Sequence, residues 1–92
     1  MNNRRKVSSD VSDIISPLPG IFYRRPAPDK DVFVQEGDLV DAGQTIGIVE
    51  IMKQFTEIQA TTAGRVGAFQ VEDFGAVSPG DVIVTLATDG LR

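Results

Sequence analysis

The chain has 92 residues, a formal net charge of −4, no cysteine and no histidine. That length allows one small domain, and the two missing residue types exclude a disulfide framework, a thiolate zinc site, and both the commonest general base and the commonest metal ligand. The acidic balance disfavours loose binding to nucleic acid or anionic membranes, which the short cluster Arg4-Arg5-Lys6 does not reverse, and no apolar run approaches the roughly 18–20 residues of a spanning helix.

Residues Met1 to about Ser12 are polar, lack periodicity and contain no apolar stretch of signal-peptide type. They read as a flexible tail, the domain proper as 13–88, and 89–92 as a short C-terminal tail. A cytoplasmic protein is expected. From Ile14 onward, Gly or Pro recurs every few residues with short apolar runs between, the pattern of many short strands joined by turns. Strands are predicted at Ile14 to Ser16, Gly20 to Arg24, Val32 to Gln35, Thr45 to Ile51, Phe55 to Ala60, Arg65 to Val71 and Val82 to Leu86. Turns are expected at Pro17 to Gly20, Glu36-Gly37-Asp38, Ala42-Gly43-Gln44 and Ser78 to Asp81, where residues that tolerate positive φ or fix a bend are concentrated. The stretch Arg25 to Lys30, with Pro26 and Pro28, reads as a stiffened protruding loop.

An internal echo runs through these elements. The pattern V-x-x-G-x-x-I occurs at Val40-Gly43-Ile46 and again 37 positions later at Val77-Gly80-Ile83. Val34 and Val71, and the acidic Glu36 and Asp73, keep the same offset. Two halves with one turn grammar predict an all-β fold with pseudo-twofold symmetry, a flattened barrel or sandwich of two antiparallel sheets; chance recurrence is the alternative. Between the halves lies Gly47 to Ala60, which reads as a hairpin with Met52-Lys53 at its tip. Tight hairpin tips favour Asn-Gly or Asp-Gly, because both positions require φ > 0. A tip that breaks this rule is what a functional site can look like, but on these residues alone a longer, relaxed loop with an ordinary surface lysine is the simpler reading. A lysine there carries its amine away from the fold on four methylenes and lacks the buried surroundings that activate a catalytic lysine. It is suited to being modified. The aromatic residues Phe22, Tyr23, Phe33, Phe55 and Phe69 read as core or half-buried packing. Paired catalytic carboxylates, a phosphate-binding glycine loop and a nucleophile with its base are all missing from the sequence, so an enzyme acting alone is not supported.

Glu50-Ile51-Met52-Lys53 resembles the E-[AV]-M-K attachment motif of biotinyl domains. Pro17-Leu18-Pro19-Gly20 is similar to the P-x-x-G opening of that family, and Glu36-Gly37-Asp38, Val40 and Gly43 to its E-G-D-x-V-x-x-G segment. Ala60, Gly64, Val66, Val77 and Gly80 match the pattern that follows the motif. The likeness runs from about Ile14 to Leu86. Within the family, Gly20-Ile21-Phe22-Tyr23-Arg24-Arg25-Pro26-Ala27-Pro28-Asp29 is most similar to the carrier subunits of acetyl-CoA carboxylase, in which the proline-containing segment forms a protruding thumb. The sequence departs at Ile51, where Ala or Val is usual, and at Gln54, where Met or Leu is common; the long Ala/Pro-rich linker of many carrier subunits is not in it, which suggests a short-form carrier or an excised domain.

The resemblance implies the hammerhead-type fold of biotinyl and lipoyl domains, with biotin joined covalently to Lys53 by a biotin protein ligase. The arm would shuttle activated carboxylate from biotin carboxylase to a carboxyltransferase, so the domain would be a non-catalytic carrier, with weak self-association left open. Glu50, Ile51 and Met52 are the flanks of the attachment motif, and Arg24, Arg25, Pro26, Pro28 and Asp29 are candidate thumb contacts. The rivals are a lipoyl carrier, which usually shows D-K where this chain has Met52-Lys53, and an unmodified β-barrel adaptor.

Overall fold

The computed structural model of the chain describes residues 11–88, an all-β arrangement of eight strands. In chain order these are β1 (Val11–Ile15), β2 (Gly20–Tyr23), β3 (Leu39–Val40), β4 (Thr45–Ile51), β5 (Gln54–Gln59), β6 (Gly64–Phe69), β7 (Gly75–Val77) and β8 (Val82–Ala87). They form two four-stranded sheets, in the orders β1-β8-β6-β3 and β5-β4-β2-β7, with every pairing antiparallel. The inward faces meet in one core. Ile14, Val40, Val66, Val84 and Leu86 come from the first sheet, and Phe22, Ile46, Val49, Ile58 and Val77 from the second.

The pseudo-twofold relation extends to every strand. Exchanging β1 with β5, β8 with β4, β6 with β2 and β3 with β7 turns one sheet order into the other. The offset between equivalent residues is 44 in the opening strands, as in Ser16 and Ala60 or Gly20 and Gly64, and 37 from Val32 onward. The first half therefore carries seven extra residues, 25–31, which form the loop around Pro26 and Pro28.

Local chemistry repeats with the strands. Gly43 and Gly80 sit at φ 88° and 90°, each third in a four-residue turn, where an L side chain would be strained. Those turns are closed alike: the Gln44 N–H donates to the Asp41 carbonyl at 3.1 Å and the Asp81 N–H to the Ser78 carbonyl at 3.0 Å. The Gln44 and Asp81 side chains accept from the N–H of Asp41 and Ser78 in return. The acidic echo has the same kind of explanation. Glu36 Oε2 accepts from the Phe69 N–H at 3.0 Å and Asp73 Oδ1 from the Arg24 N–H at 2.9 Å, so each carboxylate satisfies a strand-end donor of the other half.

The structure differs from the sequence reading at four segments. Val32 to Gln35 is not a strand. The Phe33 N–H closes back on the Arg24 carbonyl at 2.8 Å, and the Gln35 N–H goes to Asp38 Oδ2 at 2.9 Å, so these residues make loop contacts while Val34 still anchors the core. Leu39–Val40 and Gly75–Val77 are strands of two and three residues, too short for an alternating pattern to reveal. Val11 and Ser12, placed with the tail in the sequence, pair with Ala87 and Leu86 in β1. The rest of the N-terminal tail (1–10) and the C-terminal 89–92 lie outside the described residues.

Candidate functional site

Strands β4 and β5 pair from Thr45↔Gln59 to Ile51↔Gln54, leaving only Met52 and Lys53 to turn the chain. Both have positive φ, 53° and 65°, as the two central residues of a type I′ turn must. The turn is therefore tight, despite lacking Asn-Gly. Each left-handed L residue costs about 1–2 kcal/mol, and the ladder behind the tip over-determines the conformation. Lys53 is exposed, and its amine makes no hydrogen bond or ion pair with any described residue. Met52 is 88% exposed, and Ile51, one step below, is also exposed.

Glu50, opposite Phe55 in the ladder, points away from the core together with Ile48, Tyr23 and Ile21, because Val49 and Phe22 take the inward positions. Tyr23 Oη donates to Glu50 Oε1 at 2.9 Å. That bond, with the nearby carboxylates of Glu50 and Asp73, raises the Tyr23 phenol above its ordinary value of 10.0, since ionisation would remove the donor and add a like charge. Phe74 stands edge-on to the Tyr23 ring at 5.2 Å.

The seven-residue loop arches over this outer face. Its tip is a turn closed by the Lys30 N–H on the Ala27 carbonyl at 3.0 Å. Arg25 braces it from below, donating to the Lys30 carbonyl at 3.2 Å and pairing with Asp73 Oδ2 at 3.6 Å. The ion pair is part-exposed, worth about 0–1 kcal/mol, so the prolines and the backbone bonds do most of the stiffening. Between thumb and sheet is an apolar cleft of about 310 Å³. Arg25, Pro26, Ala27 and Pro28 form its roof, Ile48, Glu50 and Phe55 its floor, and Tyr23 and Phe74 its remaining wall.

The sequence-predicted residues thus separate. Lys53 is at the apex, with Met52 and Ile51 beside it and Glu50 leading into the cleft. Arg25, Pro26 and Pro28 line the cleft; Arg24 and Asp29 do not. Arg24 turns to the other side, its guanidinium 4.3 Å from the Phe69 ring centroid and its Nη2 3.3 Å from the Val34 carbonyl, so it supports the loop behind the thumb. Asp29 is exposed at the thumb tip. Two aromatics belong to the site where the sequence suggested packing or nothing: Phe55, 61% exposed, and Phe74, 59% exposed. The only sequence signal for Phe74 was its place, 37 residues after Gly37.

The family model described as "Biotin-requiring enzyme" matches residues 12–86. The biotin carboxyl carrier protein of acetyl-CoA carboxylase from Pyropia yezoensis is 35% identical over 94 residues, covering 96% of this chain and 60% of its own. The protein of the same name from Chlamydia pneumoniae is 36% identical over 89 residues, covering 96% and 53%. The chain thus spans little more than half the length of these relatives. Among solved structures, the urea carboxylase of Kluyveromyces lactis superimposes with a TM-score of 0.69 at 27% identity, over 84% of this chain and 6% of that one. An aspartoacylase family protein of Mesorhizobium loti superimposes nearly as well, with a TM-score of 0.65 at 26% identity over 88% of this chain and 23% of its own. Protein names of such different kinds on one fold mean that function has to be argued from the site. With the family model covering both half-repeats and the hairpin between them, this chain belongs to the biotin/lipoyl attachment family, described as biotin-requiring enzymes.

Proposed function

We propose that the chain is a biotin carboxyl carrier, acylated on Lys53, serving an acetyl-CoA carboxylase. The observation that carries this reading is the Lys53 amine, exposed and unpaired among the described residues at the apex of a two-residue turn. An amine so placed can enter another protein's active site without any part of the fold having to move. The residues present suit a covalently held group: the turn fixes the backbone, and four methylenes give the amine reach.

Lys53 would hold biotin: its nitrogen would take the acyl group of activated biotin from a biotin protein ligase, the new C–N amide bond replacing the bond to the activating group, which would leave, and the lysine would give up its proton and its charge. When bound, biotin supplies a ureido nitrogen that takes up and releases a carboxylate. The chain contributes delivery. Its rigid hairpin presents the arm, and tethering within one assembly replaces diffusion by an effective concentration on the order of mM. The partners in this reading are biotin carboxylase and carboxyltransferase. The names of the algal and chlamydial relatives, together with the seven-residue thumb, support acetyl-CoA as the acceptor.

Reconstitution tests the proposal. The biotinylated chain, mixed with purified biotin carboxylase, acetyl-CoA carboxyltransferase, ATP and bicarbonate, is expected to support malonyl-CoA formation, and the unmodified chain is not. Equal rates with both forms would overturn the reading. Faster turnover with propionyl-CoA carboxyltransferase would overturn the choice of acceptor.

A further inference from the structure

We propose that Tyr23 is a positioning residue: its hydroxyl holds the Glu50 carboxylate in the orientation that proteins acting on Lys53 read, and Phe74 holds Tyr23. The inference rests on the carrier reading, and four observations lead to it. Glu50 is three residues from Lys53, on the strand that leads to the tip. Its carboxylate has one partner among the described residues, the Tyr23 hydroxyl, which donates to Oε1 at 2.9 Å, and Glu50 is one of the residues that line the cleft. The Tyr23 ring is itself steadied edge-on by Phe74, with ring planes at 90° and centroids 5.2 Å apart.

The fourth observation is backbone strain at Phe74. Its φ is 71°, and its counterpart in the other half is Gly37 at φ 98°. The two turns are built alike. The Phe74 N–H donates to the Phe22 carbonyl at 2.7 Å, and the Gly37 N–H to the Val66 carbonyl at 2.8 Å. One half thus makes the turn with glycine, free of penalty, and the other makes it with a large, exposed aromatic in a left-handed conformation. Fold stability alone favours glycine at both positions. The ring at 74 is accounted for by what it touches: Tyr23, and through it Glu50. Asp73, the residue before, binds the Arg24 N–H and pairs with Arg25, so the same loop holds the base of the thumb.

The test is steady-state kinetics of biotin transfer to the full chain by a purified biotin protein ligase with biotin and ATP, beside thermal unfolding of each variant. Tyr23→Phe keeps the ring and its contact with Phe74 but removes the hydroxyl. It is expected to raise KM for the chain about threefold to tenfold with kcat unchanged, the range for one lost hydrogen bond. Glu50→Ala is expected to do at least as much, and the double variant no more than Glu50→Ala, since the two residues act as one unit. Phe74→Gly is expected to unfold no earlier than the parent and still to raise KM. Parent-like kinetics for Tyr23→Phe, or fully additive losses in the double variant, would overturn the proposal. If the unmutated chain accepts no biotin at all, the carrier reading falls, and this inference with it.

Discussion

Lys53 stands where its chemistry needs it, and nothing described in the fold depends on it. Lys53→Arg is therefore expected to abolish biotin incorporation while leaving stability within about 0.5 kcal/mol of the parent, as for a surface change away from packing. Streptavidin blotting and chemical denaturation read the two effects separately; residual biotinylation of the variant would show a second acceptor. Tyr23 offers a probe of the neighbouring site, because it is the only tyrosine in a chain without tryptophan, so ultraviolet absorbance follows its ionisation alone. The phenol is expected to titrate above 10.0, and Glu50→Ala to bring it down towards that value. The sign for stability follows. A phenol whose pKa is higher in the folded state adds stability that is complete below the unfolded value near 10 and is lost as pH rises through the folded value. Titration at the ordinary value in the parent would mean that the bond to Glu50 does not persist in solution.

At the scale of single elements, the β4–β5 hairpin carries its lysine on a turn that local preference does not favour. Met52→Asn keeps Lys53 and replaces a left-handed methionine by a residue that tolerates that region. It is expected to raise the free energy of unfolding by about 0.5–1 kcal/mol in urea denaturation, and a destabilised variant would show that the tip is relaxed. Strand β4 also contains Gly47, at the irregularity in its pairing with β5. A Cβ there would run into the Phe22 ring, which is fully buried. Gly47→Ala is therefore expected to cost about 1–3 kcal/mol, the range for overpacking a dense core; a neutral result would mean the ring has room to shift. The hairpin itself was legible in the sequence, because Phe55 to Ala60 alternates over enough residues to show the period of a strand. Val32 to Gln35 misled because β-branched and aromatic residues also serve as loop anchors. The edge strands Leu39–Val40 and Gly75–Val77 contain too few residues to show any period.

For the whole molecule, symmetry explains both what the sequence disclosed and what it concealed. The buried pairs Val40/Val77 and Ile46/Ile83 and the turn glycines Gly43/Gly80 repeat because each half needs the same core face and the same bend. Those positions are fixed by sterics, and a 37-residue offset exposes them. The functional site lies where the halves differ. The hairpin apex joins them, the thumb is an insertion in one, and Phe74 replaces a glycine in the other. A pattern based on likeness cannot find such differences, and the cleft they enclose depends on contacts between residues as far apart as Tyr23 and Phe74.

The most direct test is the intact mass of the protein isolated from cells that make it, followed by peptide mapping. One biotinyl group per chain, confined to Lys53, is the expected result. A chain that never gains a prosthetic group in such cells, or gains one on a different side chain, would contradict the assignment of this hairpin as a carrier arm.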